Sequence, residues 1–317
     1  MPTIIRAAIA GVLGLLSLLA AADAQDAAPQ RVRPKPPVAW APQPLKLTPY
    51  VAPNRLVWRL SEILSKHAGK KDWTQPVFST RDFTGEWISM GPDEKTKTLF
   101  YADDRVFWVV QSGQIRFTIE GQDPFVATKG FVVQVPERVQ YSMETVGDEP
   151  SLRLEIRPAG EYPQYPTTET PTPISGWKYV QATYSGKGKY DDVNKPYLDF
   201  WKAIVAEGGT VKGSFIVKDD HTGFGIIRGA AVPVPPSTDW GHFHENWAEI
   251  WFIVEGTQDA LIEGEPLVHA SQGDIVVAPA ERWHRITPGG TGMSTRLPLI
   301  PRPGDLHYFQ LGAASGD

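Results

Sequence analysis

A single offset aligns the two halves of this sequence. The 143 residues that separate Trp108 from Trp251 also carry Gly113 onto Gly256, Ile119-Glu120-Gly121 onto Ile262-Glu263-Gly264, Gly130 onto Gly273, Val133 onto Val276 and Pro136 onto Pro279. Pro53 and Trp58 fall on Pro196 and Trp201 at the same spacing. Matched turn residues at one gapless offset are the mark of a duplicated domain, and they require both halves to fold alike. Within each copy, apolar runs (Phe107 to Val110, Ile250 to Val254) end at a glycine, and the next runs (Gln114 to Glu120, Thr257 to Glu263) end at another. Phe131 to Val135 and Asp274 to Ala278 come after Gly130 and Gly273. Many short strands between turn glycines predict two all-β sandwiches or small barrels.

Helices have little room in this pattern. One is predicted from Pro53 to His67, with Leu56, Leu60, Ile63 and Leu64 at helical spacing and Gly69 behind it. A second is predicted from Pro196 to Glu207, with Leu198, Trp201 and Val205 inward. Ahead of the repeat, residues 25–52 are Pro-rich and predict an extended arm, on which Trp40 and Tyr50 supply rings for docking. Residues 1–24 read as a secretory signal: Arg6, an apolar run from Ala7 to Ala21, and the small-x-small site Ala22-Asp23-Ala24. The domain plan is therefore a signal peptide (1–24), an arm (25–52), a first barrel (53–160), a linker (161–195) and a second barrel (196–317). Export to the periplasm is expected, with no membrane association after cleavage.

Composition excludes several functions. The formal net charge is −5, and the 31 Lys and Arg residues are scattered, so no nucleic-acid footprint is present. There is no cysteine, which rules out disulfides and thiolate metal ligation.

The chemistry is concentrated in the second half. Gly241 to Gly256 reads GHFHENWAEIWFIVEG, and Gly273 to His284 reads GDIVVAPAERWH. His242 and His244, two apart on a strand, point to one face. Glu249 opens the next apolar run, and His284 lies beyond a turn proline. Three imidazoles and a carboxylate form a donor set suited to Fe, Mn, Cu or Zn.

These segments resemble the two motifs of the cupin superfamily. His242, His244, Glu249 and Gly256 fit the first; Gly273, Pro279 and His284 fit the second, while Glu281 stands where a glycine is usual. The resemblance implies tandem double-stranded β-helix (jelly-roll) barrels, a bicupin, with one divalent metal ion held by His242, His244, Glu249 and His284. At the same offset the first barrel has Leu99, Tyr101, Val106 and Tyr141, so it is expected to hold no metal. It serves either as a structural partner or as a pocket for an organic ligand near Tyr101, Tyr141 and Arg105.

The resemblance also implies a range of functions. A dioxygenase-like oxidoreductase acting on a small aromatic, enediol or carboxylate substrate is favoured, because Trp240, Phe243, Trp247, Trp251 and Trp283 surround the ligands. A lyase, decarboxylase or isomerase, and a non-catalytic periplasmic protein that captures a metal or small ligand, remain as alternatives. A purely structural use is disfavoured by the intact ligand set. Glu245 and Glu281 are candidate catalytic acid–base groups. Trp251, Trp247 and Arg282 are candidate substrate contacts, and Asp239 and Arg285 candidate supporting charges. Pairing of two copies into a homodimer through sheet edges is a further expectation from the resemblance.

Overall fold

The computed structural model describes residues 38–233, 241–302 and 307–309. The predicted signal peptide, the first part of the arm, Asp239 and Trp240 lie outside these residues. Val38–Trp40 are exposed, carry no secondary structure and belong to a unit separate from the chain that begins at Ala41.

Strand β1 (Val57–Trp58) and helix α1 (Leu60–Lys66) come first. Next are β2 (Trp73–Ser79), β3 (Phe83–Met90), β4 (Val106–Ser112), β5 (Ile115–Ile119), β6 (Phe125–Ala127), β7 (Phe131–Val135), β8 (Tyr141–Thr145) and β9 (Ser151–Pro158). The second half runs β10 (Tyr197–Asp199), a π-helical turn (Trp201–Val205), β11 (Val211–Lys218), β12 (Thr222–Ala230), β13 (Glu249–Glu255), β14 (Thr257–Ile262), β15 (Val268–Ser271), β16 (Ile275–Ala278), β17 (His284–Gly289) and β18 (Met293–Pro301). The all-β, two-barrel expectation holds. Among the described residues no helix is long and apolar enough to cross a membrane.

Each barrel is a six-stranded sheet closed over a three-stranded one. The first has the order β10-β7-β4-β9-β3-β2 over β6-β5-β8, and the second β1-β16-β13-β18-β12-β11 over β15-β14-β17. Every pairing is antiparallel. Side-chain alternation gives β4 and β13 two buried faces. Val106, Trp108 and Val110 point into the first barrel, Trp251 and Ile253 into the second, while Phe107, Val109, Ile250, Phe252 and Val254 meet between the barrels. That is why both strands read as unbroken apolar runs. Phe107 packs on Phe224 at 4.8 Å and Trp87 on Phe252 at 5.8 Å across this shared core. Each such ring contributes about 1.5–3 kcal/mol by leaving water.

The first strand of each repeat pairs with the other barrel. β1 joins β16 through Val57↔Val276 and Trp58↔Ile275, and β10 joins β7 through Tyr197↔Val133 to Asp199↔Phe131. Residues 57–60 thus lie in the first repeat by sequence and on the second barrel by hydrogen bonding, while Lys66 at the end of α1 donates back to Gln75 on β2 at 2.6 Å. The predicted helices are shorter than expected for the same reason. The stretch from Pro53 to His67 spends Val57–Trp58 on the sheet before α1, and that from Pro196 to Glu207 spends Tyr197–Asp199 on the other sheet, leaving only the π-helical turn closed by Ala206 N–H on Trp201 O at 2.9 Å. The end of the arm also lies on the second barrel, where Tyr50 Oη donates to Val277 O at 3.1 Å.

Candidate metal centre

Gly241 starts the site. Its φ is +84°, and a Cβ there would stand 2.4 Å from the Trp283 ring and 2.7 Å from His284 O, so only glycine lets the two backbones approach. His242 and His284 then exchange both backbone hydrogen bonds, at 2.9 and 2.8 Å, which puts their side chains on one face. His244 O accepts from Glu281 N at 2.6 Å, which ties the first motif to the turn of the second. Glu249 enters as the first residue of β13.

The four groups converge on one oxygen. Glu249 Oε2 lies 3.0 Å from His244 Nε2, 3.4 Å from His284 Nε2 and 3.5 Å from His242 Nε2. Its other oxygen accepts the Trp251 indole N–H at 2.8 Å. His284 Nδ1 donates to Arg282 O at 2.9 Å, which leaves Nε2 as the lone-pair nitrogen facing the carboxylate. His244 stacks on Trp247 with ring centroids 3.4 Å apart. Burial pushes the His244 imidazole down to about 4, against the pull of Glu249. Burial alone would raise the Glu249 carboxyl, but the three imidazoles outweigh it and hold the group well below the carboxylate range.

This arrangement fits a divalent cation. Among the described residues, neither ring nitrogen of His242 has a hydrogen-bond partner, and neither does His284 Nε2, although all are buried. A buried carboxylate ringed by imidazole lone pairs is repulsive unless a proton or a cation sits among them. Imidazole nitrogens and a carboxylate oxygen are the donors that suit a borderline metal ion.

The other sequence candidates are placed differently. Trp251 and Trp247 are buried against Glu249 and His244, where they hold ligands. Arg282 faces the arm: its Nε donates to Thr48 O at 2.7 Å, its Nη1 pairs with Glu265 at 2.9 Å, and its guanidinium lies over the Tyr50 ring. Its Nε is thus engaged by the arm and its Nη1 by Glu265 and the Glu263 carbonyl. Glu281 accepts from Thr48 Oγ1 at 2.7 Å and takes φ +68°, the left-handed conformation that explains the usual glycine at this turn. Glu245 is exposed, with Tyr308 Oη 3.5 Å from its carboxylate. Neither glutamate joins the groups gathered around Glu249. Sequence reasoning missed His307, whose ring lies 4.6 Å from that of His242 and 4.7 Å from that of His244. Of the remaining histidines, His269 pairs with Asp259 at 2.6 Å and His67 stacks on Trp73, both outside the site.

The first barrel repeats the frame with other groups. Trp108, the counterpart of Trp251, donates to Glu155 at 2.7 Å, so the indole–carboxylate contact recurs with a different acidic residue. Tyr101 and Tyr141 occupy the positions of His244 and His284; burial raises both phenols far above their ordinary value. Among the described residues, no cluster of three or more metal-ligating side chains occurs in this barrel.

No family model and no curated protein matches the sequence. Solved structures do. A salicylate 1,2-dioxygenase from Pseudaminobacter salicylatoxidans is 14% identical, with a TM-score of 0.56 over 77% of this chain and 82% of that one. The gentisate adduct of salicylate 1,2-dioxygenase from the same bacterium is 13% identical, with a TM-score of 0.55 over 78% and 84%. A cupin 2 conserved barrel domain protein from Leptotrichia buccalis is 13% identical, with a TM-score of 0.48 over 74% and 90%. At such identities the first two likenesses speak to the fold of both barrels together, and to nothing finer.

Proposed function

We propose that this chain, which has the two-barrel cupin fold, is an exported metal-dependent oxidoreductase of the dioxygenase type, acting on a small organic substrate with an aromatic, enediol or carboxylate group. His242, His244, Glu249 and His284 would hold one ion of Fe, Mn, Cu or Zn. The carrying observation is the convergence of three imidazoles, those of His244 and His284 buried and that of His242 half-buried, on Glu249 Oε2. Such an ion would supply Lewis acidity and, when redox-active, a partner for electron transfer with a bound substrate. The chain's own residues provide rigidity and dryness. Trp251 fixes the Glu249 carboxylate, the Arg282 carbonyl fixes the His284 tautomer, and Trp247 fixes the His244 ring.

One observation favours oxygen chemistry over a lyase, decarboxylase or isomerase. Those reactions gain most from a side chain that moves a proton at the substrate, and the candidates Glu245 and Glu281 are engaged by Tyr308 and Thr48 and not by the groups around Glu249. The salicylatoxidans structures, which share the fold at TM-scores of 0.56 and 0.55, are dioxygenases by name, in keeping with this choice. Export is supported by the apolar run and by Ala22-Asp23-Ala24, and a mature N-terminus at Gln25 would check it.

The test uses protein recovered from the periplasm beside a His242→Ala/His284→Ala double variant. The wild type is expected to carry a single metal ion per chain and to consume oxygen with some member of a phenol and keto-acid panel, and the variant to lose both. Metal binding and tight retention of an unchanged small molecule, with no oxygen uptake, would instead establish a binding protein.

A further inference from the structure

We propose that His307 is a fifth protein ligand of this metal ion, carried into the site by residues 307–309; the inference rests on the metal reading above. His242, His244, Glu249 and His307 each offer a ligand atom, and these atoms all lie within 4.8 Å of one another; His284 lies outside that group of four and reaches it through Glu249 Oε2, 3.4 Å from its Nε2. Backbone pairing sets this placement. Phe243 and Tyr308 exchange both main-chain hydrogen bonds, at 3.2 and 3.1 Å, and their rings stack on the outer side at 5.1 Å. Alternation then puts His307 and Phe309 on the same side as His242 and His244, although Phe309 stays 64% exposed. The rings of His307 and Phe309 both lie against His242, at 4.6 and 5.1 Å.

Imidazole is the donor type already used by the rest of the site, so His307 adds a ligand without changing the preference for a borderline ion. It does change what else can bind. On a six-coordinate ion, four protein ligands leave two positions and five leave one. A ligand with one donor atom can then bind directly, whereas a chelating ligand such as a hydroxy-acid or a dicarboxylate must displace His307. The residue thereby discriminates between ligands by their number of donor atoms.

Cobalt(II)-loaded full-length protein gives a direct count, because each metal-bound histidine contributes one strongly shifted exchangeable N–H resonance in its proton spectrum. The wild type should show four such resonances, from His242, His244, His284 and His307, and His307→Ala should show three. The variant should also bind oxalate more tightly, while azide affinity stays unchanged, and should lose cobalt affinity on the order of tenfold. Three resonances in the wild type would overturn the proposal whether or not the variant folds, and so would four in both proteins. A wild type that binds no cobalt would overturn the metal reading itself, and this inference with it.

Discussion

Trp251 does two jobs with one ring. Its body fills the second barrel and its N–H fixes the Glu249 carboxylate at 2.8 Å. Trp251→Phe keeps the ring in the core and removes the donor, so isothermal titration with metal should show affinity falling roughly ten- to a hundredfold, while the apo-protein loses about 1–3 kcal/mol in denaturant titration to the smaller ring and the unpaired carboxylate oxygen. Gly241→Ala tests the backbone instead. Its Cβ would meet the Trp283 ring and the His284 carbonyl, so denaturant titration should show a loss of about 2–4 kcal/mol, with the site distorted. At this scale the sequence is informative where ligands sit within one motif: the His-x-His alternation and Glu249 need only local spacing. His307 is different. It reaches the site through a backbone bridge to Phe243, and no periodicity in its own neighbourhood announces a partner so far back in the chain. Arg282 reads as a substrate contact on the same grounds, since its actual partners Thr48 and Tyr50 lie on an arm whose docking depends on single long-range contacts.

At the scale of elements, α1 shows why boundaries are harder to read than faces. Arg59 at its N-cap supplies no capping side chain; the cap comes from Asp274 on the second barrel, whose Oδ1 accepts from Leu60 N at 3.1 Å. The same carboxylate accepts from Arg59 Nη1 at 2.8 Å and from Ser271 N at 2.9 Å. Asp274→Ala should therefore cost about 2–4 kcal/mol in chemical denaturation, more than the ~1 kcal/mol of an ordinary cap, because it removes the Arg59 and Ser271 contacts together with that of the buried Leu60 N–H. The repeat and the strand runs are legible because turn glycines and two-sided burial leave strong local patterns. The exchange of β1 and β10 is not, since an apolar pair such as Val57–Trp58 suits either barrel and only the register with β16 decides. The segment from Pro196 reads as helical because Leu198, Trp201 and Val205 face one way, which a strand leading into a π-helical turn also achieves.

Across the whole molecule the two barrels meet over a continuous apolar core, and a charged cluster lies at its margin. Asp104 is buried beside the turn between β11 and β12, where it faces Asp219, Asp220, His221 and Thr222. Burial first, and the charge of Asp219 second, push its carboxyl up to about 6, although Arg105 N–H and His221 pull the other way. A folded-state value above that of the unfolded chain means that the folded protein binds the proton more tightly. The resulting stabilisation is complete below about 4 and is lost as pH rises through about 6. Urea midpoints measured from pH 7 down to pH 5 at fixed salt should accordingly rise through this contribution, and Asp104→Asn should flatten that part of the profile.

The exchanged first strands bear on how the protein is made. As the chain emerges from N- to C-terminus, the first barrel acquires its edge strand only after residues 197–199 have appeared, and residues 57–58 wait for β16. Neither half can finish before its sibling has begun. A cut in the 161–195 stretch would give fragments that each carry the other's missing edge, and such fragments should recover the native body when mixed and fail to do so apart. Duplication here has yielded mutual dependence, each repeat lending an edge strand to its sibling's sheet.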